Sequence, residues 1–350
     1  MAAREGELMG VAPAASATPF TRDPGLPRSF FCARDSTCKQ DLSPRDLLDI
    51  VKNKTGELWV DIDSSNRHQL AMLDKVFSFH PLAVEDTLNP KTRSKVEEYD
   101  GYLFSVIRGM RFDPETEDPY DLETFALYFF LGPNYLVTVH SSDAASITLM
   151  AEQLARTPEL LSRGAERLMH AIMDAAVDAY FPLIDQIDSF IHSCEERVFE
   201  QFDPNVRKEI FTVKRIILAL RRHLAPQREV FNILANRPSN LLAPEVQIYF
   251  RDIYDHVLRA TDSLETYRDL VSSTQDAYLS QISNRLGSVT KALSVFATLS
   301  IPFVVISGMW GMNFEDIPLA GWPHGFWFML VLQIAIGVAL LAYLRLKKWL

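Results

Sequence analysis

The chain has 350 residues, with 35 Lys and Arg against 45 Asp and Glu and a formal net charge of −10. Residues 285–350 hold five basic and two acidic side chains, a net of +3, which leaves −13 for residues 1–284. So acidic a segment is a poor ligand for nucleic acid and a suitable host for cations, although a charged surface that only aids solubility has the same composition. The three cysteines, Cys32, Cys38 and Cys194, are too few and too scattered for a disulfide framework and form no paired zinc motif, which fits a reducing cytoplasm.

In chain order, residues 1–28 are rich in Ala and Pro, contain acids and lack a continuous apolar core. They read as a disordered tail, not a targeting peptide. Order is expected from Phe30 or Phe31. Strand-like runs cover 58–62, 102–112 and 124–140, the last broken by the turn cluster Gly132-Pro133-Asn134. Helical patterns lie between them, so residues 29–164 read as a mixed α/β domain.

From Ala165 to residue 244 the pattern is wholly helical. Asp203-Pro204 supplies an N-cap followed by proline at the first helical position. Another helix starts near Pro244, and no proline interrupts residues 245–301. Those residues make a stalk of about 85 Å at 1.5 Å per residue, running into the first apolar stretch. Two series recur every seven residues, Val257, Leu264, Val271 and Tyr278, and Leu279, Leu286 and Leu293, a spacing that predicts helix-to-helix packing.

Two uncharged apolar stretches, 292–314 and 325–344, are each long enough to cross a bilayer, which takes about 20 residues. Arg285 and Lys291 precede the first and Arg345, Lys347 and Lys348 follow the second, whereas the joining loop holds only Glu315 and Asp316. That asymmetry predicts both termini on the cytoplasmic side. Pro302 is expected to kink the first span. Gly287, Thr290, Ser294, Ala297, Ile301, Val304 and Gly308 follow at intervals of three or four and share one helical face, either as a pathway lining or as a close-packing seam. The second span is apolar nearly all round and reads as lipid-facing. Two helices from one chain cannot enclose an aqueous route, so a pore requires a ring of copies, and the alternative is a simple membrane anchor.

After the first apolar helix comes Trp310-Gly311-Met312-Asn313-Phe314. This segment resembles the signature of the CorA family of divalent-cation transporters. Residues 80–89 (His-Pro-Leu-Ala-Val-Glu-Asp-Thr-Leu-Asn), 93–104, 249–256, Tyr278-Leu279-Ser280, Ser283-Asn284 and the end Lys347-Lys348-Trp349-Leu350 extend the resemblance over most of the chain. The resemblance implies a funnel-shaped homopentamer in the plasma membrane. It implies a cytoplasmic α/β domain, a long α-helical stalk, an inner ring of first transmembrane helices and an outer ring of second ones. The chain then divides into the tail 1–28, the α/β domain 29–164, a helical segment 165–244, stalk and first span 245–309, an external loop 310–324, and second span and basic tail 325–350.

Magnesium is the cargo and regulatory ion the resemblance implies, with cobalt or nickel also accepted. Around a symmetry axis Asn313 would offer a ring of amide and carbonyl oxygens, which suits an ion that dehydrates reluctantly. Gly311 is expected to give the turn backbone freedom and Met312 to pack and fix it. Glu315 and Asp316 are candidates for drawing cations to the mouth. Gly287, Thr290, Leu293, Ala297, Ile301 and Val304 are the candidate pore lining, with Leu293 as a hydrophobic constriction.

Family members hold the pore closed with magnesium between neighbouring cytoplasmic domains. The matching residues are Asp86 and Asp252, with Glu85, Asp174 and His256 as a second group. Asp252 and His256 lie one helical turn apart, as do Asp174 and Asp178. The alternatives are a pairing of Asp252 with Arg251 or Arg259, a satisfied half-buried His256, and a solvated acidic helix face. At Gly287, Thr290 and Val304 characterised members often carry asparagine, methionine and threonine, so the polar ring here differs. A zinc, cobalt or nickel transporter of the same superfamily, or a non-conducting membrane-anchored sensor, are the other readings. None of the fourteen glycines precedes a lysine, so no Walker phosphate loop is present, and no nucleophile–base pairing marks an enzyme.

Overall fold

The computed structural model describes residues 26–113, 116, 121–141, 144–201, 203, 205–313, 317–318, 321–347 and 349. Contacts group the chain into two units, one of residues 1–187 and 215–266 and one of residues 188–214 and 267–350.

The first unit opens with strands β1 (Arg28–Ala33) and β2 (Cys38–Gln40), helix α1 (Pro44–Asn53), β3 (Gly56–Asp63), α2 (Arg67–Lys75) and α3 (Pro81–Leu88). It continues with β4 (Lys95–Tyr99), β5 (Tyr102–Phe112), β6 (Leu122–Leu131), β7 (Tyr135–His140), α4 (Ala145–Arg156) and α5 (Ala165–Asp178). The strands form one seven-stranded sheet in the order β2-β1-β3-β7-β6-β5-β4. Every neighbouring pair is antiparallel except β3 and β7.

Helix starts follow local chemistry. Ser43 caps α1 and forms a capping box with Asp46, and Asn66 accepts from the His68 and Gln69 amides at the start of α2. One sheet face, with Leu58, Val60, Ile62, Phe104, Phe130, Val137 and Val139, packs with Leu47, Ile50, Leu73, Phe79 and Ala83 of the α1–α3 segment. The alternate residues of β3 and β7 carry a buried polar chain. The Trp59 indole donates to Thr138 Oγ1 at 3.0 Å, Thr138 donates to Asp61 Oδ1 at 2.8 Å, and His140 Nε2 lies 3.2 Å from the same oxygen. Helix α5 contacts β3, β5, β6 and β7.

Strands β3, β5, β6 and β7 lie where alternation and the turn cluster predict them. Strands β2 and β4 are edge pieces with half-exposed polar residues, so neither has a hydrophobic pattern to reveal it, and β1 begins at Arg28, two residues earlier than expected. The cysteine reading is corrected at one pair. Cys32 and Cys38 face each other across β1 and β2 and are joined as a disulfide, because strand register brings neighbouring cysteines of a hairpin together whatever the total number of cysteines.

Three long helices follow α5: α6 (Tyr180–Glu196), α7 (Val206–Asn236) and α8 (Pro244–Trp310), and then α9 (Gly325–Leu346). Helix α7 begins at Val206, later than the start expected at Asp203-Pro204, and Pro204 lies outside the described residues; Asp203 Oδ1 accepts from the Asn205 amide at 2.8 Å in the turn that leads into the helix. Arg197 is held by both Asp203 and Glu209. Helix α8 continues through Pro302 to Trp310. Of its two seven-residue series, Val257, Leu264, Val271 and Tyr278 are buried, whereas Leu279, Leu286 and Leu293 are more than half exposed.

Helices α8 and α9 each contain a window long and apolar enough to cross a membrane. They pack closely where a Cβ on Gly337 would lie 2.6 Å from the Phe303 ring, so a larger residue there must displace the ring. Beside it Gln333 Nε2 donates to Ser307 Oγ at 3.0 Å, satisfying two polar groups within an apolar pair.

Candidate cation path and metal centre

Val295, Phe303 and Ser307 mark the side of α8 that is buried or meets α9. At about 100° per residue the stripe from Thr290 through Ala297, Ile301 and Val304 to Gly308 lies on the far side. Gly287, Thr290, Leu293, Ala297, Ile301, Val304 and Gly308 are all exposed within the chain, and nothing lies within 4 Å of a Cβ built on Gly287 or Gly308. The chain therefore does not use the small residues as its own helix-packing seam. The exposed leucine series at 279, 286 and 293 falls on the same side, so the open face continues down the helix.

The turn after α8 comes next. The Gly311 amide donates to the Ser307 carbonyl at 3.0 Å, and a Cβ on Gly311 would sit 3.2 Å from that oxygen. Its φ is not left-handed, so the turn does not draw on the backbone freedom expected from the sequence, and a side chain here would press on that carbonyl. Met312 is 52 % exposed within the chain. Asn313 is exposed. Glu315 and Asp316 lie outside the described residues.

A second constellation is built where α5 meets the first part of α8. Phe250, Ile253 and Val257 of α8 and Met169, Met173 and Val177 of α5 are buried, and the polar residues beside those stripes come into register. Asp174 and Asp178 project from one helix and Asp252 and His256 from the other. One ligand atom from each of Asp174, Asp178 and His256 lies within 4.8 Å of the others. His256 Nδ1 is 3.3 Å from Asp178 Oδ1, and its Nε2 is 3.7 Å from Asp252 Oδ2.

Asp174 Oδ1 is buried and has no hydrogen-bond partner among the described residues. Burial, joined by the charges of Asp178 and Asp252, pushes the Asp174 carboxyl above its ordinary value against the pull of His170 and His256. Burial likewise pushes His170 below its ordinary value. Crowded carboxylates with an unsatisfied oxygen gain from a divalent cation, and the donor set of two carboxylates and one imidazole fits cobalt or nickel directly or magnesium through its own water.

The structure thus brings Asp174 and His256 together and adds Asp178, which the sequence places one turn from Asp174 but gives no ligand role. Asp86 and Glu85 are not part of the group. Asp86 pairs with Lys95 at 2.8 Å, and Lys95 is shared with Glu97 at 2.8 Å. Arg259 lies over the Phe181 ring at 5.9 Å, and no ion pair joins Asp252 to it or to Arg251 among the described residues.

A family model described as CorA-like Mg2+ transporter protein matches residues 55–348. The cobalt/magnesium transport protein CorA of Thermotoga maritima is 32 % identical over 294 residues, spanning 83 % of this chain and 83 % of that protein. The complete structure of the CorA magnesium transporter from Methanocaldococcus jannaschii superposes with a TM-score of 0.80 at 20 % identity, covering 93 % of this chain and 99 % of that one. The full-length CmaX protein gives a TM-score of 0.72 at 21 % identity over 93 % of this chain and 98 % of that one. With its α/β sheet domain, long helix and two C-terminal apolar helices, this chain belongs to the CorA-like family of Mg2+ transporters, which are membrane transporters and not enzymes.

Proposed function

We propose that copies of this chain assemble as a homopentamer around α8 and conduct magnesium into the cell, with both termini in the cytoplasm and the turn at Gly311-Met312-Asn313 facing outside. The observation that carries the reading is the open face of α8. Its small and hydroxyl side chains lie away from the side that receives α9, and such residues in a membrane helix suit close approach by other copies or contact with water. A divalent ion moving inward gains about 4.6 kcal/mol per 100 mV, twice the value for one elementary charge, so uptake needs no nucleotide hydrolysis.

In this reading residues 29–164 and 165–244 form the cytoplasmic sensor, 245–309 the stalk and inner span, 310–324 the external turn and 325–350 the outer span with its tail. Asn313 coordinates the entering hydrated ion, with Glu315 and Asp316 raising its concentration at the mouth. Asp174, Asp178 and His256, with Asp252 beside them, bind cytoplasmic magnesium and hold the ring closed, and Asp86 and Glu85 serve the same regulation from the facing copy.

Purified protein in liposomes containing a magnesium-sensitive dye tests this under an inside-negative potential. Wild type takes up magnesium, and Asn313→Ala assembles normally but loses flux. No uptake by wild type would leave the sensor reading in its place. A second reading, cobalt or nickel as the ion held at the cytoplasmic cluster, is favoured by the imidazole of His256, because nitrogen donors suit those ions better than magnesium. Protection from protease by magnesium, cobalt and nickel in turn separates the two.

A further inference from the structure

A cavity of about 410 Å³ opens in the first unit between the segment before β4, strand β5 and helix α7. In a chain of net charge −10, its lining carries Lys91, Arg93, Arg108 and Arg222, with His223 beside them and no carboxylate. None of the four permanent cations has an acidic partner within salt-bridge distance among the described residues. Asp86, whose carbonyl accepts from Thr92 on the cavity wall, turns its carboxylate to Lys95 instead.

Arg108 is the anomaly. It is only 8 % exposed, and a buried guanidinium without a counter-charge is costly. Its Nη1 donates to the Pro90 and Thr92 carbonyls at 3.0 and 3.1 Å, and its Nη2 to the Thr124 carbonyl and hydroxyl at 3.2 and 3.1 Å. These neutral acceptors explain why the side chain is held in place. They do not neutralise it, and its Nε finds no partner among the described residues. On the same lining Ser94, 7 % exposed, also has a hydroxyl without a partner.

We propose that this cavity binds a phosphate-bearing small molecule, with Arg108 and Ser94 at its inner wall and Lys91, Arg93 and Arg222 around the exposed rim. Phosphoryl oxygens accept several charge-assisted bonds at once, and roughly four cations match a di- or triphosphate better than a single carboxylate. The lining has no Phe, Tyr or Trp, and its cations are matched to the phosphoryl groups, so recognition is of those groups. The site is preorganised: the Arg108 amide donates to Gln227 Oε1 at 3.2 Å, which ties β5 to α7. This inference stands independently of the transport reading.

The test is equilibrium dialysis of radiolabelled inorganic pyrophosphate against full-length, detergent-purified protein in divalent-free buffer at physiological chloride. Wild type should bind saturably, one per chain. Lys91→Glu should weaken binding about tenfold and Arg93→Glu/Arg222→Glu about a hundredfold, since each removes a charge-assisted contact. Arg45→Glu, the same charge change on α1, should leave binding intact, and ATP should compete about as well as pyrophosphate. No saturable binding by wild type at millimolar ligand, unchanged binding by both rim variants, or equally good competition by sulfate at matched ionic strength would overturn the proposal.

Discussion

Replacing Asp178 with asparagine tests the metal centre from two sides. Its carboxylate lies within 4.8 Å of ligand atoms of Asp174 and His256. At that separation two like charges repel by about 3.5 kcal/mol at an effective dielectric of ~20 and about 0.9 kcal/mol in bulk water. Asp178 has a side chain 57 % exposed, so the lower figure governs, about 1 kcal/mol. Asp178→Asn therefore relieves a small strain in the cation-free protein and at the same time removes a charged ligand. In chelator its midpoint of thermal unfolding should equal or exceed that of wild type by a few degrees. On titration with magnesium or cobalt, the concentration giving half the stabilisation should rise about tenfold or more, the effect of losing one charge-assisted contact. Asp255→Asn, an equal charge change on the exposed side of α8, should titrate like wild type. A cation midpoint unshifted by Asp178→Asn, or shifted equally by Asp255→Asn, would refute ligation at this site.

The raised carboxyl of Asp174 gives a pH signature in chelator. The folded chain holds that proton more tightly than the unfolded chain, whose ordinary value is 3.8, so the stability it contributes is full below that value and is lost as pH rises through the raised folded one. Asp174→Asn should flatten that limb of a midpoint-against-pH curve, and an unchanged curve would place the titration elsewhere. Asp252→Lys should weaken magnesium-dependent protection of the cytoplasmic portion in limited proteolysis, and full protection would remove Asp252 from the response. Gly337→Leu forces the Phe303 ring aside from a position 2.6 Å away and should destabilise the α8–α9 pairing by about 1–3 kcal/mol, seen as faster hydrogen exchange in α9. Thr138→Val strands the Trp59 indole N–H and one Asp61 contact and should cost about 1–3 kcal/mol in denaturant unfolding, with no change in the cation midpoint.

Hydrophobic spacing and breaker residues made much of this chain legible as sequence. The apolar stretches at 292–314 and 325–344, the helix starting at Pro244 with no proline before residue 302, the strands on either side of Gly132-Pro133-Asn134, and the family motif at Trp310 to Phe314 are all local patterns. They hold because a helix or strand with one burial pattern can be recognised within its own span. Tertiary structure alone decided what depends on residues far apart in the chain. The pairing of Cys32 with Cys38 came from strand register, the join of Asp178 to His256 from the packing of α5 on α8, and the open face of α8 from where Phe303 meets Gly337. Sequence spacing orders side chains around one helix, but only the approach of a second helix chooses which of those faces is covered and which remains for a cation or another copy.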